Sequence, residues 1–377
     1  MTGAPGLPEF ALERWFARWE FTARRNLGAS DVEPVTMAEL LALADDEGRD
    51  LWDGLSLGYT ESAGHPRLRE EIAGLYETAG PDDVLVCSGA EEAILLVAGA
   101  LAEPGARVVC LQPSYASLHE VARARGADVR DVTLDPARGW ALDLDAFRDA
   151  LGGRARMAVL NLPHSPTGAL PPPGDLAALA EMTAAAGAHL VGDEVYRLLE
   201  RDPADRLPAA ADVHERGVSI GVMSKAFGLP GLRIGWVATR DRALLRRLAA
   251  MKDWTTICAA APSEALAIIA LRAREALLDR ARALVATGLR AAEDLVAAHP
   301  GALEWIPPRA GTVAFPRVVD GDGDGLSERL LRNHGLLVVP GSLFGAFPGH
   351  VRIGLGRRDA PEGLAELGRA VRPGRER

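Results

Sequence analysis

A lysine behind an apolar run and an arginine eight residues later are the first residues here whose types and spacing could do chemistry. Residues 221–236 read Gly-Val-Met-Ser-Lys-Ala-Phe-Gly-Leu-Pro-Gly-Leu-Arg-Ile-Gly-Trp, which places Lys225 just beyond the β-branched run 218–222 and Arg233 further on. Gly228, Gly231 and Gly235 keep the segment free of bulk. A lysine amine at a strand end forms a Schiff base with an aldehyde once it is partly deprotonated. A planar guanidinium makes paired hydrogen bonds to a phosphate dianion. Together they suit an aldehyde that carries a phosphate, and pyridoxal phosphate (PLP) is such a molecule. Lys225 and Lys252 are the only two lysines among 42 Lys and Arg, so a chain nearly free of lysine keeps one here. The bland alternative is a surface lysine after a strand.

Further polar clusters follow other β-rich runs. Ser88-Gly-Ala-Glu-Glu92 falls between a strand and a helix, where the amides around Gly89, Ala90 and Glu91 can bind phosphate. Tyr115, in Pro113-Ser-Tyr115, can stack on a flat ring or simply pack. Asn161-Leu-Pro-His-Ser-Pro-Thr-Gly168 is a double turn that presents side chains at a cofactor edge. Asp193 ends a further run, and a buried carboxylate there needs a partner. A pyridinium N–H is such a partner, and the pairing makes the ring an electron sink for a carbanion at a substrate Cα. Tyr196, three residues on, can donate to the ring hydroxyl. An ordinary helix cap is the competing role for Asp193. Ser30 and Asp31, in the small-residue loop 26–31, are candidates to enter the site.

The elements that must position these groups alternate along the chain. Strand-like runs at 84–87, 108–111, 129–132, 157–160, 190–191, 218–222 and 236–238 are mostly separated by Ala- and Leu-rich helical stretches such as 92–102, 118–124 and 176–186. That alternation predicts an α/β fold, a mostly parallel sheet with helices on both faces and ligands outside the carboxyl ends of its strands. An arginine-rich helical stretch over 263–298 leads to shorter β pieces at 311–315 and 336–339 and a last helix near 361–371. The expected division is a large domain over 51–290, a small α+β domain over 291–377, and an N-terminal segment over 1–50 joining the small domain. Residues 9–25 read as an amphipathic helix with Leu12, Trp15, Phe16 and Trp19 at helical spacing. Its expected role is packing on the protein or on a second subunit, not direct contact with substrate. Thr36 with Glu39 marks a helix start, and Pro66 marks another. Asp320-Gly-Asp-Gly-Asp-Gly325 resembles a calcium loop, but Leu331 stands where the bidentate glutamate belongs, so a solvated turn and no metal are expected.

Composition narrows the partners. A net charge of -10 over 377 residues argues against nucleic acid or an anionic membrane. The longest apolar run, about 93–102, is too short to span a bilayer, and the N-terminus lacks the pattern of a signal peptide. Three cysteines, Cys87, Cys110 and Cys258, form no C-x-x-C pair, which fits a reducing cytoplasm.

As a set these pieces resemble the fold-type-I PLP enzymes of the class I/II aminotransferase family, from about Tyr59 to Arg352. The matching stretches are Tyr59…Gly64…Leu68-Arg69, Pro113-Ser-Tyr115, Pro166-Thr-Gly168, Asp193-Glu-Val-Tyr196, Ser224-Lys225 with Arg233, and Val351-Arg352-Ile-Gly354. The resemblance implies Lys225 as Schiff-base lysine and Cα proton carrier, Asp193 on the ring nitrogen, Tyr196 on the ring oxygen and Tyr115 on the ring face. It implies Ser224, Arg233 and the amides of Ala90 and Glu91 on the phosphate, and Arg352 on the substrate carboxylate. Tyr59 would reach the neighbouring subunit's phosphate, which implies a homodimer with shared sites acting on an amino-acid-derived substrate. Ser165 stands where the family usually has an asparagine beside the ring oxygen, Val222 where it often has a hydroxyl residue, and Glu91 and Glu92 where it has small or hydroxyl residues. Within the family the N-terminal helix and loop, Pro163-His164, the stretch from Ser224 to Arg233, Arg309-Ala-Gly-Thr312 and Val339-Pro-Gly341 resemble the antibiotic-assembly group that includes capreomycidine synthase and the PLP enzymes of lincosamide biosynthesis. The family implies aminotransferase activity as the default outcome. The subgroup implies diversion to β-elimination, cyclisation or decarboxylation-linked deamination, and a PLP-binding protein without turnover is the non-enzymatic alternative.

Overall fold

The computed structural model describes residues 6–371; the first five residues, part of the N-terminus read against a signal peptide, lie outside them. All seven strand-like runs pair into one sheet. Its spatial order is Val84–Cys87, Gly235–Ala238, Gly217–Val222, His189–Asp193, Ala155–Asn161, Arg107–Gln112 and Asp128–Thr133. Gly235–Ala238 is antiparallel to both its neighbours, and every other pair is parallel. Strand side chains alternate between the two faces. Met157 and Val159 therefore enter one core with Leu85, Val97 and Ile220, while Ala158 and Leu160 enter the other with Phe147, Leu179 and Leu190. Helices Gly89–Leu101 and Pro173–Ala185 cover opposite faces. Burial on both faces is why these strands read as continuous apolar runs.

The parallel register places the polar strand ends side by side. Asn161 is the register partner of Asp193, and Asp193 that of Ile220, three residues before the loop that holds Met223 to Ile234 and leads to Lys225.

Beyond the large sheet the chain runs through helices Ala261–Arg272 and Arg274–Ala298. The single helical stretch expected over 263–298 is thus two, broken where Ala273 leaves helical geometry at φ -93, ψ 17. Val313–Ala314, Val351–Gly354 and Val339–Pro340 form a small antiparallel sheet. Arg25–Asn26 pairs in parallel with Leu336–Leu337, which ties the N-terminal segment to this region. The expected boundaries at 50/51 and 290/291 fall inside helices Asp46–Asp53 and Arg274–Ala298, because composition changes gradually across a continuous helix.

The N-terminal helix is shorter than its pattern, Ala11–Trp19 instead of 9–25. The reason is tertiary: Arg24 reaches the carbonyl of His334 and the carboxylate of Glu366, and Arg25 is drawn into the strand pair. The local start signals hold. Thr36 and Glu39 form a reciprocal capping box on helix Met37–Ala42, and Pro66 opens helix Pro66–Ala73. Asp322, from the stretch that resembles a calcium loop, caps helix Gly323–His334 by accepting from the Gly325 N–H at 2.9 Å.

Candidate active site

The floor of the site is carried by the carboxyl ends of the parallel strands. Asp193 is 5% exposed, and no helix follows for it to cap. The Asn161 amide nitrogen donates to its carboxylate and to its carbonyl, both at 3.0 Å. Burial pushes the Asp193 carboxyl up to about 6, offset in part by the Val195 N–H and by Lys225. Asn161 Oδ1 in turn accepts from the Ser165 N–H at 2.6 Å, which fixes the double turn and keeps Ser165 buried. The Lys225 ammonium donates to the Ser30 hydroxyl at 2.8 Å.

The phosphate-facing corner depends on two glycines. A Cβ on Gly89, whose φ is +79, would sit 2.6 Å from Arg233 Nη2, so the missing side chain lets the guanidinium lie against the N-terminus of helix Gly89–Leu101. A Cβ on Gly235 would meet the backbone of Gly89 and Ala90 at 2.5–2.7 Å, so that glycine lets strand and helix start touch. Arg233 and the first amides of the helix form a cationic cup beside the buried Ser224. Glu91, at the rim, is pushed up to about 7 by burial, against the Ser117 hydroxyl that donates to it at 2.9 Å.

The roof comes from the N-terminal segment. The Ser30 carbonyl accepts from the Tyr196 hydroxyl at 2.9 Å and from the Thr312 hydroxyl at 2.7 Å. Arg352 is 2% exposed, donates to the Gly28 carbonyl at 2.8 Å, and leaves its Nε without a partner. Its guanidinium lies 5.7 Å from the Phe16 ring centre and 5.0 Å from that of Phe344. Tyr115 donates to Glu13 at 2.7 Å, and its ring centre is 5.0 Å from that of Phe10. Asp31 is held by Arg357 through bonds of 2.8 and 3.0 Å.

The N-terminal helix therefore does more than the packing expected of it, since Leu12 is buried in the core while Glu13 and Phe16 contact Tyr115 and Arg352. Lys225, Asp193, Tyr196, Ser30, Arg352 and Tyr115 are drawn together in the structure. Tyr59 is not: it stands 93% exposed and makes no hydrogen bond to any of them. Asn161, Thr312, Glu13 and Phe16 join the site without having been singled out for it. Asn161 had a signal in its place at a strand end next to Asp193, Glu13 in its helical spacing from Phe16, and Thr312 in the stretch Arg309-Ala-Gly-Thr312 that carries the subgroup resemblance.

These groups fit PLP. The cup offers an arginine and free amides to a phosphate dianion, the Asp193 oxygens, which accept one bond each from Asn161 and Val195, retain lone pairs for a ring N–H, and Lys225 is the amine. Arg352, buried with an orphaned Nε, is the complement of a carboxylate on an amino acid. Bound there, PLP supplies an electron sink for charge developing at a substrate Cα. Among the described residues no cluster of His, Cys, Asp and Glu is placed to hold a metal, and no helix is long and apolar enough to cross a membrane.

Comparison with known proteins agrees. The sequence profile of the family described as aminotransferase class I and II matches residues 40–365. Capreomycidine synthase from Streptomyces vinaceus is 36% identical over 371 residues, covering 97% of this chain and 94% of the relative. A PLP-dependent aminotransferase from Streptococcus suis superposes with a TM-score of 0.91 at 29% identity, over 97% of this chain and 98% of its own. The PLP-dependent cyclase OrfR superposes at 0.87 with 31% identity, over 98% and 99%. Fold, site and comparisons converge: the chain belongs to the class I and II aminotransferase family of fold-type-I enzymes, with pyridoxal 5'-phosphate as its cofactor.

Proposed function

We propose that this enzyme removes the Cα proton of an amino acid in specialised, antibiotic-type metabolism and carries the reaction on at Cβ, by elimination or ring closure. One observation carries the reading. The family profile begins at residue 40, so the segment that roofs the site lies outside it. The alignment with capreomycidine synthase covers 97% of the chain and so extends into that segment. The segment that roofs the site is thus included in the alignment to a relative whose name denotes a synthase, and a cyclase is among the structural neighbours, which supports the reading. Ordinary transamination is the second reading, supported by the family and by the Streptococcus suis neighbour.

In this reading Arg352 holds the substrate carboxylate under the loop of Gly28 and Ser30. Lys225 moves the Cα proton, with the Ser30 hydroxyl 2.8 Å away to orient its amine. Asp193 holds the ring nitrogen protonated, and Tyr196 and Ser165 lie toward the ring oxygen. Tyr115 covers the ring face, while Ser224, Arg233 and the amides of Gly89, Ala90 and Glu91 hold the phosphate. The roof excludes water, which protects a reactive product at Cβ.

The deciding experiment supplies the holoenzyme with an amino acid that carries a Cβ leaving group, such as O-acetylserine. Ammonia and a 2-oxoacid should be released while the cofactor stays in the pyridoxal form. Stoichiometric conversion to pyridoxamine phosphate without ammonia would instead establish transamination.

The active assembly in this reading is a cytoplasmic homodimer. Tyr59 and Trp254 stand 93% and 91% exposed, with Leu57 and Ile257 nearby in chain. Their two loops are stitched together: buried Lys252 donates to the carbonyls of Ser62 and Ile257 at 2.6 and 2.9 Å, and Ser62 donates to Asp253 at 3.2 Å. An apolar platform of this kind suits a second copy, which would bring Tyr59 to the partner's phosphate cup. Dissociated Lys225→Ala and Tyr59→Ala chains, each inactive alone, should regain part of the activity when mixed. Full activity in a sedimenting monomer would defeat the shared site.

A further inference from the structure

The charges around the site do not balance once its expected occupants are counted. Four cations face it: Lys225, Arg233, Arg352 and Arg357. Arg357 is taken by the two-pronged pair with Asp31. On the reading above, on which this inference rests, Arg233 goes to the phosphate, Lys225 to the cofactor and Arg352 to the substrate carboxylate. Glu13 and Glu20 are left without a cation.

Both carboxylates are placed by one helix. Glu13, Phe16 and Glu20 are three and seven residues apart and share one face. Glu20 continues the helical geometry just past Trp19, donating its N–H to the Phe16 carbonyl. The middle member of the stripe, Phe16, lies against the Arg352 guanidinium, so the stripe crosses above the group that would anchor the substrate. The unpartnered Nε of that fully buried arginine points independently to a ligand in the same space. Glu13 spends one oxygen on the Tyr115 hydroxyl and keeps the other. Burial, then Asp31 and Glu13, hold Glu20 above the usual carboxylate range, offset in part by Arg357 and Lys225. Half-buried carboxylates facing a neutral or anionic side chain would stay desolvated and unpaired, which is costly. An ammonium or guanidinium would pair with them.

We propose that Glu13 and Glu20 make the N-terminal helix a selectivity element that reads a cationic side chain on the substrate amino acid. The helix then contributes specificity for the group beyond Cβ, while Arg352 reads only the carboxylate common to all amino acids.

The test is a binding titration of the PLP-loaded enzyme, read as the change in its cofactor absorbance, with L-arginine, L-lysine and the neutral analogue L-norleucine. A cationic side chain should bind about tenfold or more tighter than norleucine at moderate salt. Glu20→Gln and Glu13→Gln should each shrink that ratio, with PLP content retained and the covalent link to Lys225 still reducible by borohydride. Glu20→Asp, which keeps the charge, should shrink it less than Glu20→Gln. Norleucine binding as tightly as arginine and lysine, or ratios unmoved by both glutamine variants, would overturn the inference while leaving amino-acid chemistry at the site intact. A cofactor spectrum that responds to none of the three would overturn this inference, and an unresponsive spectrum with O-acetylserine as well would overturn the functional reading beneath it.

Discussion

The floor of the site and its roof are held by different means. The floor groups are carried by adjacent, fully buried strands: Asp193 in backbone register with Asn161, and Lys225 in a loop whose ends are fixed by Met223–Ile234 and Met223–Leu229 hydrogen bonds. The roof is a nine-residue helix and a short loop, fastened by a few backbone bonds at the ends of the loop, such as those of Leu27 with Leu337 and Gly354 and of Glu33 with Gly356, and between them by side chains. Tyr196 and Thr312 hold the Ser30 carbonyl, Arg352 the Gly28 carbonyl, Tyr115 the Glu13 carboxylate and Arg357 the Asp31 carboxylate. Backbone ladders in a two-sided core open only with global unfolding, whereas a segment held by a few backbone and side-chain bonds can open alone. The floor can thus carry chemistry common to a whole family while the roof varies with the substrate.

The largest effect expected from breaking the floor is total. Lys225→Ala should abolish the covalent link to PLP, read as loss of the visible cofactor band and of any borohydride-fixed adduct. An adduct on Lys252 instead would move the floor elsewhere, although Lys252 is buried and committed to two carbonyls.

Asp193→Asn should keep PLP bound but slow Cα deuterium exchange by about a hundredfold or more, since a neutral ring nitrogen withdraws charge poorly. The same substitution has a pH signature in the cofactor-free protein. The folded carboxyl, held at about 6 by burial, lies above its ordinary 3.8, so the folded state holds this proton more tightly than the unfolded one. The stability present below pH 4 is therefore lost as pH rises through 6, on the order of 3 kcal/mol. The asparagine variant should flatten that part of the profile in urea titrations at pH 4, 5, 6 and 7. An unchanged slope would mean that Asp193 is solvated in the free protein.

The smallest effect sharpens the contrast. Thr312→Val removes one of the two hydroxyls on the Ser30 carbonyl and should cost about 1 kcal/mol. Amide exchange should quicken in residues 27–31 and stay unchanged in the strands of the large sheet. Uniform quickening across the sheet would show that roof and floor open as one unit.

Much of the floor was legible in the order of residues. The run at 157–160 is short and apolar and that at 218–222 is rich in β-branched residues, and both lie in strands buried on two faces. Asp193 and Lys225 could be placed because the groups that act in a parallel sheet fall at strand ends, next to the strand in sequence. Gly235, read as keeping its segment free of bulk, does bring its backbone against that of Gly89 and Ala90. The roof was less legible. The periodicity of residues 9–25 announced a helix but not its length, its half-buried carboxylates or what it covers. Those follow from Arg24 meeting Glu366 across 342 residues of chain and from Arg25 pairing with Leu336, contacts that no local pattern encodes.

Sequence by itself determined the α/β alternation and singled out Lys225, Arg233 and Asp193 as candidates, because each rests on local periodicity or on spacing from a strand. Tertiary structure alone decided that Ser30, Glu13, Phe16 and Thr312 meet Lys225, Tyr115, Arg352 and Tyr196 in one site. The physical reason is that these contacts join segments brought together only when the N-terminal segment docks on the region around 313–354, and the free energy of that docking is spread over residues hundreds of positions apart.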